Sequence, residues 1–278
     1  MLANLNDVLK PAQCGHYAVG LFNTIDTDML QGAIDAAEEL RSPVIIGTAE
    51  VLLPFGELKL LAPSLVAAAK RATVPVVVHY DHGLTFERTL EALKLGFSSV
   101  MFDASAKPHG QNLAETAEIV RIAHALGATV EGEIGHVGEA AKGDGEVTDM
   151  YTTPDEADEF IRETGVDALA VAIGSAHGVY KTKPKLNVQR LKEIRARVGE
   201  PLVLHGGSGL SEDDFRTTIR EGISKVNVFT DLILAGCASM RDGLDGNLGY
   251  LDIRQMRVKA VKDAVMEKMR IFGSVGKA

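Results

Sequence analysis

The chain reads as an α/β protein, a (β/α)8 TIM barrel with an additional C-terminal helix. Three observations predict this. Eight short, β-branched apolar runs recur along 278 residues, amphipathic stretches separate them, and polar residues gather at one end of the runs. Near-continuous apolar strands suit a sheet covered on its outer face, and strand–helix alternation makes that sheet parallel. The length is typical of a closed barrel. A doubly wound open sheet is the competing arrangement. With no linker, low-complexity tract or compositional shift, the expectation is a single barrel domain over residues 1–278.

The first strand is expected at Tyr17–Phe22. Met29–Leu40 follows with apolar residues at 29, 30, 33, 34, 37 and 40, the spacing of one helical face. Pro43–Gly47, Val76–Tyr80 and Ser98–Phe102 supply strands two to four. Thr129–Gly132, Ala168–Ile173, Pro201–Leu204 and Lys225–Phe229 supply five to eight. Thr153-Pro154-Asp155-Glu156 combines a cap, a first-turn proline and a capping-box glutamate, and Ser211-Glu212-Asp213-Asp214 is a second helix start. Gly96, Gly127, Gly165 and Gly222 stand where a helix must stop before the next strand. The glycine-rich, charged stretch Glu139–Met150 predicts a mobile loop. Arg254–Ile271 predicts a charged C-terminal helix packed outside the barrel.

A net charge of −9, from 29 basic and 38 acidic residues, argues against a nucleic-acid binder or an anionic-membrane binder. Cys14 and Cys237 form neither metal-ligand spacing nor a disulfide framework. Met1–Asp7 lacks the basic-then-apolar pattern of a signal peptide, and no apolar run approaches the ~18 residues of a membrane span. A soluble, cytoplasmic protein is expected.

Barrel active sites lie at the C-terminal ends of the strands. Asn23 falls there after strand one, Asp81 and His82 after three, Asp103 after four and Glu133 after five. His177 follows strand six, His205 strand seven, and Asn227 and Thr230 end strand eight. Singly, each reads as readily as a helix cap or a satisfied core group; together, at one end, they read as a site. Three imidazoles from distant strands suit a catalytic Zn²⁺, which takes three protein ligands and keeps a fourth position open. Three buried, hydrogen-bonded histidines are the alternative. Gly206-Gly207-Ser208-Gly209 would let backbone N–H groups approach an anion, although alone it is as good a plain turn.

Several longer motifs narrow this further. Tyr80-Asp81-His82-Gly83, Val171–Gly178, Leu204–Gly209, Val226–Asp231 and the tail Phe272–Ala278 resemble, in order and over essentially the whole chain, the motifs of the class II fructose/tagatose-bisphosphate aldolases. These are metal-dependent ketose-bisphosphate aldolases. The resemblance implies a lyase that reversibly cleaves a ketose (bis)phosphate to dihydroxyacetone phosphate and an aldehyde. It implies a Zn²⁺ held by His82, His177 and His205, which stabilises an enediolate, and it leaves room for a monovalent cation. Asp81 would be the acid/base on the C4 hydroxyl, with orientation of a neighbouring histidine as its other reading. Gly178, Gly206, Gly207, Ser208, Asn227, Val228, Phe229 and Thr230 would hold the donor phosphate, and Asn23 lies with them as a substrate contact. Asp103 and Glu133 match a second, more buried metal position, or else orient His82. Lys181 could draw in the phosphate, against the reading of a solvated charged loop. A homodimer or homotetramer is implied as well.

Two stretches depart from that pattern. Gly135-His136-Val137-Gly138-Glu139-Ala140-Ala141-Lys142-Gly143-Asp144 lacks the usual paired glycines followed by acids, which makes Glu139 the first candidate for the base at C3 and Asp144 the second. Gly47-Thr48-Ala49-Glu50-Val51-Leu52-Leu53-Pro54-Phe55 has Ala49 and Val51 where relatives carry serine and glycine. The donor site therefore reads as intact and the acceptor site as non-standard. Rival readings are a metal-dependent hydrolase or isomerase, and a sugar-phosphate-binding barrel that has lost turnover.

Overall fold

The computed structural model describes residues 1–135, 138–139, 151–178 and 184–278, with 138, 139 and 177 described by backbone alone. In chain order the elements begin β1 (Leu2–Ala3), α1 (Leu5–Gly15), β2 (Val19–Asn23), α2 (Thr27–Leu40), β3 (Val44–Ala49), a 3₁₀ turn (Glu50–Leu52) and α3 (Leu58–Arg71). Next come β4 (Val76–Gly83), α4 (Phe86–Lys94), β5 (Ser99–Phe102), α5 (His109–Ala125), β6 (Thr129–Ile134) and β7 (Gly138–Glu139). They are followed by α6 (Pro154–Thr164), β8 (Ala168–Val171), β9 (Ala176–His177), α7 (Val188–Arg197) and β10 (Leu202–Leu204). The chain closes with α8 (Glu212–Arg220), β11 (Ile223–Val228), α9 (Thr230–Asp245) and α10 (Tyr250–Phe272).

Strands β4, β3, β2, β11, β10, β8, β6 and β5 pair in parallel in that order, and β5 pairs back with β4. The sheet is a closed eight-stranded barrel, as the alternation predicts. All eight expected strands form, with shifted ends. Tyr17 and Ala18 precede β2 because their N–H groups go to Ala12 and Phe272 carbonyls. Phe229 leaves β11 early because it becomes the N-cap of α9. Thr153 and Ser211 form the expected capping boxes. Gly96, Gly127, Gly165 and Gly222 all have positive φ, the conformation that ends a helix at glycine. The expected loop beyond Glu139 lies outside the described residues.

Side chains alternate across each strand, so one set packs under the helices and the other fills the barrel. Outward Phe22, Ile46, Val78, Val130 and Leu204 meet α-helical residues such as Ile34, Leu65 and Ile194. Inward Val19, Leu21, Ile45, Val77, Ala168, Ala170 and Val203 meet Leu5, Val8, Leu9 and Ala12 of α1. Helix α1, which the strand pattern did not foretell, thus plugs the N-terminal end of the barrel. The lower half is apolar, and further along the same strands the inward positions become His79, Asp81, Glu131, Glu133, His205, Lys225 and Asn227.

The C-terminal helix is longer than its sequence signal and is preceded by α9. Helix α10 crosses α2 at Gly32, where a Cβ would come 2.9 Å from the Val258 carbonyl oxygen. Arg257 reaches Asp26 at 3.0 Å and Asp28 at 2.6 Å, and Arg254 reaches Asp28 at 2.6 Å. Among the described residues no helix is long and apolar enough to cross a membrane.

Candidate active site

Asp81 and His82 are neighbours, and in a regular strand they would face opposite sides of the sheet. Here β4 and β5 slip register: Tyr80 pairs with Val100, but Gly83 pairs with Phe102. The extra residue is a β-bulge, and His82 sits in the left-handed region at φ 42°. That conformation costs about 1–3 kcal/mol for a residue other than glycine. Its effect is to turn both side chains into the barrel mouth. Gly83 follows because a Cβ there would lie 2.7 Å from the Met101 carbonyl oxygen.

The two side chains then enter different parts of one network. Asp81 accepts hydrogen bonds from Asn23 Nδ2 (2.7 Å) and from Asn227 Nδ2 (3.0 and 3.2 Å). His82 Nδ1 lies 2.7 Å from Asp103 Oδ2, and its Nε2 faces His205 Nδ1 at 2.9 Å. The other nitrogen of His205 lies 2.9 Å from Glu131 Oε1. Glu133 Oε2 is 3.5 Å from His205 Nδ1. Each imidazole therefore has one nitrogen on a carboxylate and the other turned toward a shared space, the arrangement that fixes metal-ligating histidines.

Charge follows from the geometry. Asp81, Asp103, Glu131 and Glu133 all lie in this network, whereas Lys225, with its Nζ 2.7 Å from Glu131 Oε2, is the one buried ammonium among the described residues. Burial opposes the charge on His82, yet Asp81, the hydrogen bond to Asp103 and Glu133 overcome it and push the ring up to about 10. Burial would raise the carboxyl of Asp81, but His82, Lys225 and His205 outweigh it and hold it well below the usual carboxylate range. His79 is driven to about 3, chiefly by burial and by Lys225. A site this acidic, with two imidazole nitrogens converging, fits a divalent cation. Donor atoms of Asp81, His82 and His205, and those of His82, Asp103 and Glu133, each lie within 4.8 Å of one another.

Beside these groups lies the glycine turn expected to hold an anion. Gly206 has φ 65°, and a Cβ there would lie 2.3 Å from the Ala176 carbonyl oxygen; at Gly207 it would lie 2.8 Å from that of Asn227. Ser208 Oγ accepts from the N–H groups of Phe229 (3.3 Å) and Asp231 (3.5 Å). Helix α9 begins at Thr230 with no side-chain cap of its own at Phe229. A cavity of about 610 Å³ joins these parts: Asn23, Asp81, His82, Asp103, Glu133, Gly178, Gly206, Gly207, Ser208 and Asn227–Thr230 line it. A larger groove of about 940 Å³ opens at the other end of the barrel, between α1 and the strand starts, away from all of these residues.

The comparisons with known proteins converge. A sequence model described as fructose-bisphosphate aldolase class-II matches residues 3–277. The chain belongs to the class-II fructose-bisphosphate aldolase family. It is accordingly an aldolase, a carbon–carbon lyase. It is 43% identical over 279 residues to the uncharacterized protein YdjI of Escherichia coli K12, covering all of both chains. The crystal structure titled YdjI aldolase superposes with a TM-score of 0.91 at 40% identity over the whole of both. The fructose-bisphosphate aldolase of Geobacillus stearothermophilus is 39% identical over 286 residues, covering all of this chain and 99% of that one.

For this aldolase, the described residues bring nearly every sequence-derived candidate into one cavity. Four are exceptions. His177 and Glu139 are placed by backbone only, paired with each other across the small β7–β9 sheet, and Lys181 and Asp144 lie outside the described residues. Strand periodicity would have found what was missed. His79, Glu131 and Lys225 stand two residues before Asp81, Glu133 and Asn227, charged or polar inside otherwise apolar strands. Glu50 is a fourth. Its carboxylate takes the N–H groups of Leu84 (2.9 Å) and Thr85 (3.2 Å), the Thr85 hydroxyl (2.9 Å) and the Tyr80 hydroxyl (3.3 Å). It staples the 3₁₀ turn to the start of α4, leaving Ala49, Val51, Leu52 and Leu84 on the cavity wall.

Proposed function

We propose that the chain is a zinc-dependent aldolase that joins or releases dihydroxyacetone phosphate and an aldehyde. The observation that carries this reading is the bulge that sets Asp81 beside His82, facing His205, within reach of the glycine cradle. His82, His205 and His177 would hold the metal, with Asp103 and Glu131 fixing the first two rings and Glu133 beside them. When bound, Zn²⁺ would act as a Lewis acid toward the donor's carbonyl and hydroxyl oxygens.

The chain's own residues do the rest. Gly206, Gly207, Ser208 and the start of α9 bind the phosphate through N–H and hydroxyl donors. Gly178, Asn227, Val228, Phe229 and Thr230 shape that pocket. In cleavage, Asp81 takes the proton of the C4 hydroxyl, the C3–C4 bond breaks, and the aldehyde leaves. The electron pair stays on the three-carbon fragment, which takes a proton at C3 from Glu139. Condensation reverses each transfer. Asp81 is suited to its part because two amides aim it and its surroundings keep it ionised.

The acceptor end is different in character. Ala49, Val51, Leu52 and Leu84 form an apolar wall, which favours an aldehyde with apolar surface. Self-association into a dimer or tetramer is part of the same proposal, supported by Leu244, Leu248, Tyr250 and Leu251, all exposed about the α9–α10 turn. The cytoplasm would be its compartment.

The test isolates the half-reaction that needs no aldehyde. Zinc-loaded protein is incubated with dihydroxyacetone phosphate in D₂O and C3 proton exchange is followed by NMR, beside an EDTA-treated sample. Exchange that depends on zinc is expected. Its absence in protein shown to hold zinc refutes the reading. Asp81→Ala should abolish condensation and leave exchange in place.

A further inference from the structure

We propose that Lys225, paired with Glu131 in the floor of the site, is a positioning residue for the C4-hydroxyl step, because it locks the Asn227 amide in the orientation that donates to Asp81. The proposal rests on the reading of Asp81 given above.

Lys225 is wholly buried and does not line the cavity, so it touches no substrate. Its Nζ lies 2.7 Å from Asn227 Oδ1 and 2.7 Å from Glu131 Oε2. An ammonium has three donors and no acceptor, so the amide atom facing it must be the oxygen. The other end of the amide then has to be Nδ2, which meets both oxygens of Asp81 at 3.0 and 3.2 Å. A flipped Asn227 would set NH₂ against the ammonium and oxygen against the carboxylate, unfavourable at both ends. An asparagine facing a carboxylate alone would need no such help. This one also lies 3.4 Å from His205 Nε2 and has competing partners.

The cost of this device indicates that it serves more than packing. A buried lysine is rare and is tolerated only when paired, and the rest of the barrel interior toward α1 (Val19, Leu21, Ile45 and Val77) is aliphatic. Glu131 balances the charge with one oxygen and holds His205 Nε2 at 2.9 Å with the other. One ion pair thus reaches the proton-transfer group through Asn227 and an imidazole through Glu131.

The experiment compares two reactions in the zinc-loaded full chain. Lys225→Met keeps the unbranched length and removes the donors. Lys225→Met/Glu131→Gln removes both charges, so no lone carboxylate is left buried, and glutamine still accepts from His205. For each, zinc content, C3 exchange with dihydroxyacetone phosphate, and condensation of dihydroxyacetone phosphate with glyceraldehyde are measured. In both variants the ratio of condensation to exchange, each per bound zinc, is expected to fall at least about tenfold, since exchange does not use Asp81. A parallel fall in both reactions, no fall in either, or failure of the double variant to fold would each overturn the proposal and leave the pair as a structural floor. Lack of exchange in the unaltered zinc protein is a separate result: it removes the aldolase mechanism itself, and the proposal with it.

Discussion

Asp103 offers the sharpest test of how the imidazoles are held. One of its oxygens lies 2.7 Å from His82 Nδ1, and the other accepts from the Ser105 N–H (3.1 Å) and hydroxyl (2.7 Å). Asp103→Asn keeps the shape but turns one acceptor into a donor, and both ways of seating the amide are poor. With oxygen toward His82, NH₂ opposes the Ser105 N–H. With oxygen toward Ser105, NH₂ donates to His82 Nδ1 and moves the ring proton to Nε2, the nitrogen that faces His205. Loss of such an orienting carboxylate typically costs 10–100-fold in metal affinity, about 1.4–2.8 kcal/mol. We expect zinc affinity to fall by about that factor, measured by competition against a chelator of known affinity, with an unchanged circular dichroism spectrum. A change within about threefold would show that Asp103 does not set the ring. A loss beyond about a thousandfold would make it a direct ligand, and either result refutes the reasoning.

Other expectations follow from particular contacts. Gly207→Ala forces the cradle to shift, because its Cβ would lie 2.8 Å from the Asn227 carbonyl oxygen; calorimetry should show dihydroxyacetone phosphate binding weakened about tenfold in a folded protein. Val51→Ser removes apolar area from the acceptor wall and should cost an apolar aldehyde about 1 kcal/mol. The kcat/KM of butanal relative to glyceraldehyde should drop about fivefold, with C3 exchange unchanged; an unchanged ratio would place the acceptor elsewhere. Leu9→Ala empties a fully buried position in the plug of the barrel and should cost about 2–5 kcal/mol in urea unfolding while leaving zinc affinity alone.

The barrel was legible because its strands are buried on both faces and announce themselves as apolar runs. Its helix boundaries were legible where chemistry marks them, as at Thr153 and Ser211. Helix α1 was not, since its buried face is short and Pro11 lies within it. Of the site, the residues at the strand ends were readable one by one, but their mutual roles were not. Adjacent Asp81 and His82 can share a cavity only through a bulge, and a bulge depends on the pairing of β4 with β5, not on β4 alone. Lys225 and Glu131 stand on different strands, and neither strand alone shows that closure of the barrel brings them to 2.7 Å.

The bulge in β4 also limits how this enzyme could diverge. It ties Asp81, proposed for proton transfer, and His82, proposed for metal binding, to one register, so a residue gained or lost there would displace both at once. The 3₁₀ turn that carries Val51 and Leu52 is under no such constraint. It is joined to the body through the carboxylate of Glu50, and its apolar residues can be exchanged without moving a strand. On the proposed mechanism, a lineage would therefore change which aldehyde it accepts by substitutions on that turn while inheriting the donor chemistry intact.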